Sequence, residues 1–156
     1  MNDALNKLLY HRKKEGRIIE KDILSKIKFI NADIKKIIRL SNTNISKELK
    51  KVQNKIDVIV PNFDLNSDRL YQEVALVLEK KDINEEISRL NGHMSLLVKY
   101  LKDNSIGGKK INFLLQELNR EINTIGSKID NLKIRHLVVN IKNNIEMIRE
   151  QIQNII

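Results

Sequence analysis

Apolar residues recur at steps of three and four along most of this 156-residue chain. This spacing places them on one face of a helix, first over residues 4–40 and again over residues 45–59. Ser41 to Asn44 interrupts the pattern, so we predict that a first helix ends there and a second begins just after it. Pro61 closes the second helix.

The same periodicity predicts further helices after a polar connection at residues 62–67. A third helix ends near Lys81, and Asp82 starts a fourth. Asp82 followed three residues later by Glu85 is the capping-box arrangement, in which an N-cap acceptor is joined by a carboxylate that reaches back.

The last part of the chain carries two strongly periodic segments separated from the fourth helix by a loop at residues 104–108. They predict a fifth helix over about residues 109–127 and a sixth over about residues 130–154. The sixth has the spacing of a short coiled-coil seam. The expected fold is therefore all-α, an elongated bundle of about six helices.

Composition agrees with helices and excludes several classes of protein. There are one Pro, five Gly and 4% aromatic residues, which is unlike a β-sandwich or barrel. The absence of Cys excludes disulfides, thiolate zinc sites and cysteine nucleophiles. Phosphate-binding glycine loops and the zincin motif are also missing, as are a signal peptide and a membrane span, so a cytoplasmic protein is expected.

The net charge of +9 is concentrated near the N-terminus. Residues 1–60 hold 15 Lys and Arg against 7 Asp and Glu, whereas residues 61–108 hold 6 against 8. We therefore divide the chain into a basic helical arm at 1–60 and a helical domain at 61–156. Such an arm suits a polyanion such as RNA, although solvated basic helix faces without a partner are equally common.

The fifth helix carries the clearest candidate chemistry. Glu117 and Glu121 lie four residues apart, so their carboxylates project side by side and are placed to share a divalent cation or position a water. The alternative is a solvated salt-bridge cluster with Lys110 or Lys128, which fall on the same face. Spacing alone leaves both readings open.

The fourth helix offers a possible acid/base group. Glu86, Arg89 and His93 share one face at steps of three and four, which would give an imidazole an orienting carboxylate. A plain surface network explains the same pattern. The two other histidines, His11 and His136, are interpreted as structural or incidental.

Residues 108–128 read GKKINFLLQELNREINTIGSK, and this segment resembles a long motif of the YicC/YloC family of bacterial endoribonucleases. The family typically shows a Gly-Arg-Lys-Leu-Asp-Phe opening and a Gln-Glu-Met-Asn-Arg-Glu-x-Asn-Thr-x-x-Ser-Lys continuation. The likeness extends upstream through residues 69–76 and 82–93 and downstream through residues 137–154. A weaker resemblance covers residues 4–22, so the likeness to the family extends over most of the chain.

The resemblance implies a divalent-metal-dependent endoribonuclease that uses Mn²⁺ or Mg²⁺ and assembles into a cytoplasmic homo-oligomer, a hexamer, around a basic space for RNA. Side-chain chemistry then gives roles to the matching positions. The catalytic candidates are Glu117, Glu121 and His93; the metal candidates are Glu117, Glu121, Glu73 and Glu86; and the RNA-binding candidates are Arg69, Arg89, Lys109, Lys110, Arg120 and Lys128.

Three departures from the family pattern bear on activity. Members of the family are longer and open with a strand-containing domain, so we expect this chain to be a fragment, a split gene or a decayed one. Asn112 stands where Asp is typical, which removes a possible metal ligand. Lys109 replaces an Arg that would clamp phosphate in bidentate fashion.

Three functions are therefore carried forward. The first is metal-assisted hydrolysis of RNA. The second is a catalytically inactive helical module for oligomerisation and RNA binding, left by loss of the N-terminal domain. The third is a purely structural bundle without RNA affinity.

Overall fold

The computed structural model describes residues 2–59, 72, 75, 76, 79–103 and 107–155. Across these residues the regular secondary structure is entirely helical, which confirms the all-α prediction. The four helices delimited there are α1 (Asn2–Ile59), α2 (Asn84–Leu101), α3 (Gly108–Lys128) and α4 (Leu132–Ile155). Within the described ranges, none of these helices has the length and apolarity needed to cross a membrane.

The prediction of six helices is wrong for the first part of the chain, where one continuous helix replaces the expected two. α1 has 58 residues and passes through Ser41 to Asn44 without a break, giving a length of about 87 Å. Ser41 is buried, and its hydroxyl donates a hydrogen bond to the Ile38 carbonyl at 2.9 Å. The polar side chain is thus satisfied inside the helix rather than ending it.

The predicted third helix lies mostly outside the described residues, with residues 79–81 helical. The prediction of a capping box at the start of α2 is wrong. Asp82 Oδ1 accepts a hydrogen bond from the Asn84 amide at 2.9 Å, but Ile83 occupies the N-cap position and Glu85 pairs with Arg89 instead of reaching back. Ile83 is buried in the core.

α3 begins and ends within one residue of its prediction, whereas α4 begins two residues later than expected. Asn131 caps α4, because its Oδ1 accepts hydrogen bonds from the Lys133 and Ile134 amides at 2.9 and 3.3 Å.

The helices form an antiparallel bundle around one apolar core. α3 packs between α2 and α4, and α1 packs mainly against α4, with fewer contacts to α2. α1 supplies a stripe of five buried isoleucines to the core that α2, α3 and α4 share. The stripe consists of Ile23, Ile27, Ile30, Ile34 and Ile37.

The division at residue 60 falls outside the described residues and stays a prediction. The middle of α1, within the predicted arm, is nevertheless part of the common core.

Candidate metal centre

Three of the predicted site residues meet where α2 and α3 face each other. One ligand atom each from His93, Glu117 and Glu121 lies within 4.8 Å of the other two. The two carboxylates are neighbours because they are four residues apart on α3, and the imidazole comes from the antiparallel α2. We call these three residues the metal triad.

The metal triad is partly shielded from solvent. Glu121 is only 3% exposed, while His93 and Glu117 are half-buried. Burying a carboxylate beside a second one is unfavourable unless a positive charge or a cation compensates it. A buried anionic pair at this position therefore calls for a cationic partner.

Two arginines provide part of that compensation. Arg89 Nη1 lies 3.5 Å from Glu121 Oε1, and Arg120 Nη1 lies 4.0 Å from Glu117 Oε2. The carboxylate of Glu85, and after it that of Glu121, raises the pKa of Arg89. Both contacts to the triad are long and both arginines are exposed, so each carboxylate retains oxygen atoms that can bind a metal.

The donor set fits a divalent cation. Carboxylate oxygens are ligands for Mg²⁺ and Mn²⁺, and an imidazole nitrogen favours a transition ion such as Mn²⁺. Three protein ligands would leave coordination positions for water and a phosphate oxygen. Because all three residues lie within helices, little ordering is needed before a cation binds.

Glu86, the third predicted metal ligand on these helices, has a different environment. Its Oε1 lies 2.7 Å from Lys128 Nζ, and Lys128 also donates a hydrogen bond to the Asp82 carbonyl at 2.8 Å. Among the described residues, the three-ligand grouping does not include Glu86. Lys128 thus balances Glu86 rather than the Glu117–Glu121 pair.

The remaining predicted contacts are placed as follows. Lys109, Lys110 and Arg120 are exposed on α3, where they are accessible to a polyanion. Glu73 and Arg69 lie outside the described residues.

Asn112 lies on another side of α3 from the triad, about 140° around the helix from Glu117. Its Oδ1 is buried without a hydrogen-bond partner, as is Oδ1 of Asn119. An Asp at position 112 would therefore face away from the metal triad. The presence of Asn instead of Asp at position 112 therefore leaves the ligands of the metal triad unchanged.

Sequence reasoning missed a groove between α1 and the N-terminal turns of α4. It has a volume of about 470 Å³ and brings together basic and apolar side chains from two distant segments. Its lining residues are Lys36, Arg39, Leu40, Lys133, His136 and Leu137. We call it the α1–α4 groove. The only signal in the sequence was a pair of basic residues at a three-residue step in each segment.

Comparison with known proteins places the chain in a family. Residues 30–156 match the family described as "Endoribonuclease YicC-like, C-terminal", a span that contains all of α2, α3 and α4. The chain is 40% identical over 157 residues to "Probable endoribonuclease YicC" of Clostridioides difficile strain 630. It is 30% identical over 154 residues to the protein of the same name from Haemophilus influenzae strain Rd.

In each comparison the match takes in 99% of this chain and 53% of the relative. The chain therefore spans about half the length of the curated relatives that it matches. The metal triad and the α1–α4 groove both lie within residues 30–156, the region that matches the family.

Proposed function

Because the chain belongs to the YicC-like endoribonuclease family, we propose that it is a cytoplasmic endoribonuclease that hydrolyses RNA with a divalent cation held by His93, Glu117 and Glu121. The observation that carries this proposal is the convergence of one imidazole and two carboxylates within 4.8 Å. Only the family relationship points to RNA as the substrate, since the relatives are named as probable endoribonucleases.

The residues around the metal triad would divide the work of phosphodiester hydrolysis. A divalent cation at the triad would supply charge neutralisation at the phosphate and a water of lowered pKa. Glu117 and Glu121 would hold that cation from one helix, and His93 would hold it from the other. Arg89, on the same surface, is positioned to offset the negative charge of the scissile phosphate.

An assembly of several copies is part of the same proposal, with a homo-hexamer as the expected form. Large apolar side chains remain exposed on α1, α3 and α4, which favours contact with further copies. They are Tyr10, Ile18, Phe29, Phe113, Leu132, Val139 and Met147. Sedimentation of the purified chain would measure its oligomeric state, and a monomer at all concentrations would contradict this part of the proposal.

A second function is favoured by one specific observation. The chain matches only about half of each relative, yet carries a net charge of +9. A module of this kind would bind RNA without cleaving it. The two functions differ in whether RNA is broken in the presence of a metal.

The decisive experiment incubates labelled RNA at low salt with Mn²⁺, with Mg²⁺ or with chelator. Glu117→Gln/Glu121→Gln is compared with Glu146→Gln/Glu150→Gln, which removes two exposed carboxylates at the same spacing on α4. We expect metal-dependent cleavage that falls at least about 100-fold in the triad variant and persists in the control. Helical circular dichroism should be the same for both.

Two other results would change the conclusion. RNA that is bound but intact under every condition would favour the inactive binding module. Cleavage that persists in chelator and in the triad variant would remove the metal triad from the mechanism. Calorimetric titration with Mn²⁺ supplies a readout independent of activity, because affinity should drop in the triad variant and not in the control.

A further inference from the structure

We propose that the α1–α4 groove is a second RNA-binding site, which holds a single-stranded segment away from the metal triad. This inference rests on the proposed function, because RNA is taken as the substrate. The groove itself is independent of the triad and is formed by a different pair of helices.

The first argument is charge. Lys36 and Arg39 from α1 and Lys133 and His136 from α4 line the groove with the apolar parts of their side chains, which brings four basic residues to its walls, and the lining contains no carboxylate. Each pair is three residues apart, so both members project to the same side of their helix. The nearby Asp33 pairs with Lys36 at 2.7 Å, and both Lys36 and Lys133 are exposed to solvent. Such a concentration of cations attracts a phosphate backbone.

The second argument is the floor of the groove. Leu40 and Leu137 are half-buried at the edge of the core and leave an apolar surface between the cations. A single-stranded segment has both phosphates and bases available, so its phosphates would meet the cations while a base covers the leucines. A duplex presents its phosphates but keeps its bases stacked inside.

The third argument is position. α1 packs mainly against α4, and α2 against α3, so the groove and the triad lie on different sides of the bundle. Their separation is on the order of 20 Å, or two helix diameters. RNA in the groove is therefore a part of the substrate remote from the scissile phosphate. Contacts of this kind change substrate affinity more than the chemical step.

The test uses the full chain and a labelled single-stranded RNA in chelator, so that binding is measured without cleavage. Lys36→Gln/Lys133→Gln removes one groove cation from each helix. The matched control, Lys35→Gln/Lys142→Gln, removes one exposed lysine outside the groove from each of the same helices. Both variants lose the same charge, so non-specific attraction is equal in the two.

We expect fluorescence anisotropy to show RNA affinity reduced roughly tenfold or more in the groove variant and by less than about twofold in the control. The slope of log affinity against log salt should fall by about 1.4 in the groove variant, from about 0.7 for each lost phosphate contact. Equal losses in the two variants, or no loss in either, would overturn the proposal. Equal affinity for a duplex, or displacement of the RNA by an acidic peptide, would also overturn it.

Cleavage assays separate this proposal from the nuclease function. With Mn²⁺, the groove variant should show a raised KM and an unchanged kcat, whereas the triad variant should lose kcat while binding RNA normally. Groove-dependent binding without any cleavage would overturn the nuclease and leave the groove standing. Cleavage with an unchanged KM in the groove variant would overturn the groove and leave the nuclease standing.

Discussion

Two buried glutamates on the α2–α3 surface have opposite surroundings. Glu86 is 7% exposed and has a close ion pair with Lys128, whereas the nearest cation to Glu121 is Arg89 at 3.5 Å. Lys128 compensates Glu86 through Oε1, while Glu86 Oε2 is buried without a hydrogen-bond partner. Glu121 has a longer ion pair and two ligand-type neighbours, so it is the carboxylate that a metal ion would complete.

Lys128→Met tests the structural role of the ion pair between Lys128 and Glu86. It should lower the free energy of unfolding by about 1 to 3 kcal/mol, because the Glu86 carboxylate is left buried without its cation. Urea denaturation measures the change. Glu86→Gln/Lys128→Met should be less destabilised than the single variant, and a single variant as stable as the parent would contradict the pairing.

Asp22 gives a prediction about pH. A hydrogen bond from the Gln151 amide, followed by one from Lys26, lowers the pKa of Asp22 below its ordinary value of 3.8. A lowered pKa in the folded state stabilises the protein above the ordinary value, and this stabilisation is lost as the pH falls through the folded pKa. The difference in urea midpoint between the parent and Asp22→Asn should therefore shrink below pH 4 or so. A difference in urea midpoint that stays constant from neutral to acid pH would contradict the lowered pKa of Asp22.

At the residue scale, helix spacing placed Glu117 and Glu121 side by side but left a salt-bridge cluster as an alternative. The family resemblance singled out these two residues and His93, and His93 was predicted as an acid/base group, whereas the structure brings all three side chains together. The pairing of Lys128 with Glu86 was not predictable, since it depends on how far α2 is shifted along α3. Neighbours within a helix follow from its period, but neighbours across helices require the packed structure.

At the scale of elements, strong periodicity predicted helices well and weak local signals predicted their ends badly. The bounds of α3 are within one residue of the prediction because its apolar face is continuous. The predicted break at Ser41 to Asn44 failed because a hydroxyl that can end a helix can also bond to the preceding turn.

Glycines within helices offer a test of packing between α3 and α4. Gly92 of α2 has open space where a Cβ would lie, whereas a Cβ on Gly126 of α3 would lie 3.3 Å from Val138 Cγ1. Gly92→Ala should stabilise the protein by about 0.5 to 1 kcal/mol through helix propensity. Gly126→Leu should destabilise it by about 1 to 3 kcal/mol by overpacking. Melting temperatures that move in the same direction would contradict this packing.

At the scale of the molecule, the charge distribution predicted a basic arm at residues 1–60, and the structure shows that the middle of this segment also contributes to the core. The excess of basic residues in 1–60 is real, but it lies on the same helix as the buried isoleucine stripe. Charge describes the surface of a segment and says little about what its other face contacts. The apolar period of α1 predicted the stripe, but not that α4 would cover it.

Ile30→Ala tests whether α1 is part of the folded unit. Ile30 is fully buried, so the variant should lose about 2 to 4 kcal/mol of unfolding free energy. The loss should appear in a single transition for the whole chain when circular dichroism is followed in urea. A separate early transition, with the rest of the helical signal melting as in the parent, would mean that α1 is an independent arm.

The metal triad takes its ligands from two helices. Its geometry therefore depends on how these helices are rotated about their axes and not on the length of the connection between them. One residue inserted within α3 between Glu121 and Lys128 would turn the downstream residues by about 100° and advance them by about 1.5 Å. Lys128 would then leave Glu86 while the triad stayed in place. Extra residues in the connection between α2 and α3 would disturb neither the Lys128–Glu86 ion pair nor the metal triad. Changes in length during the evolution of this chain are therefore expected to accumulate in that connection and to be rejected inside the helices.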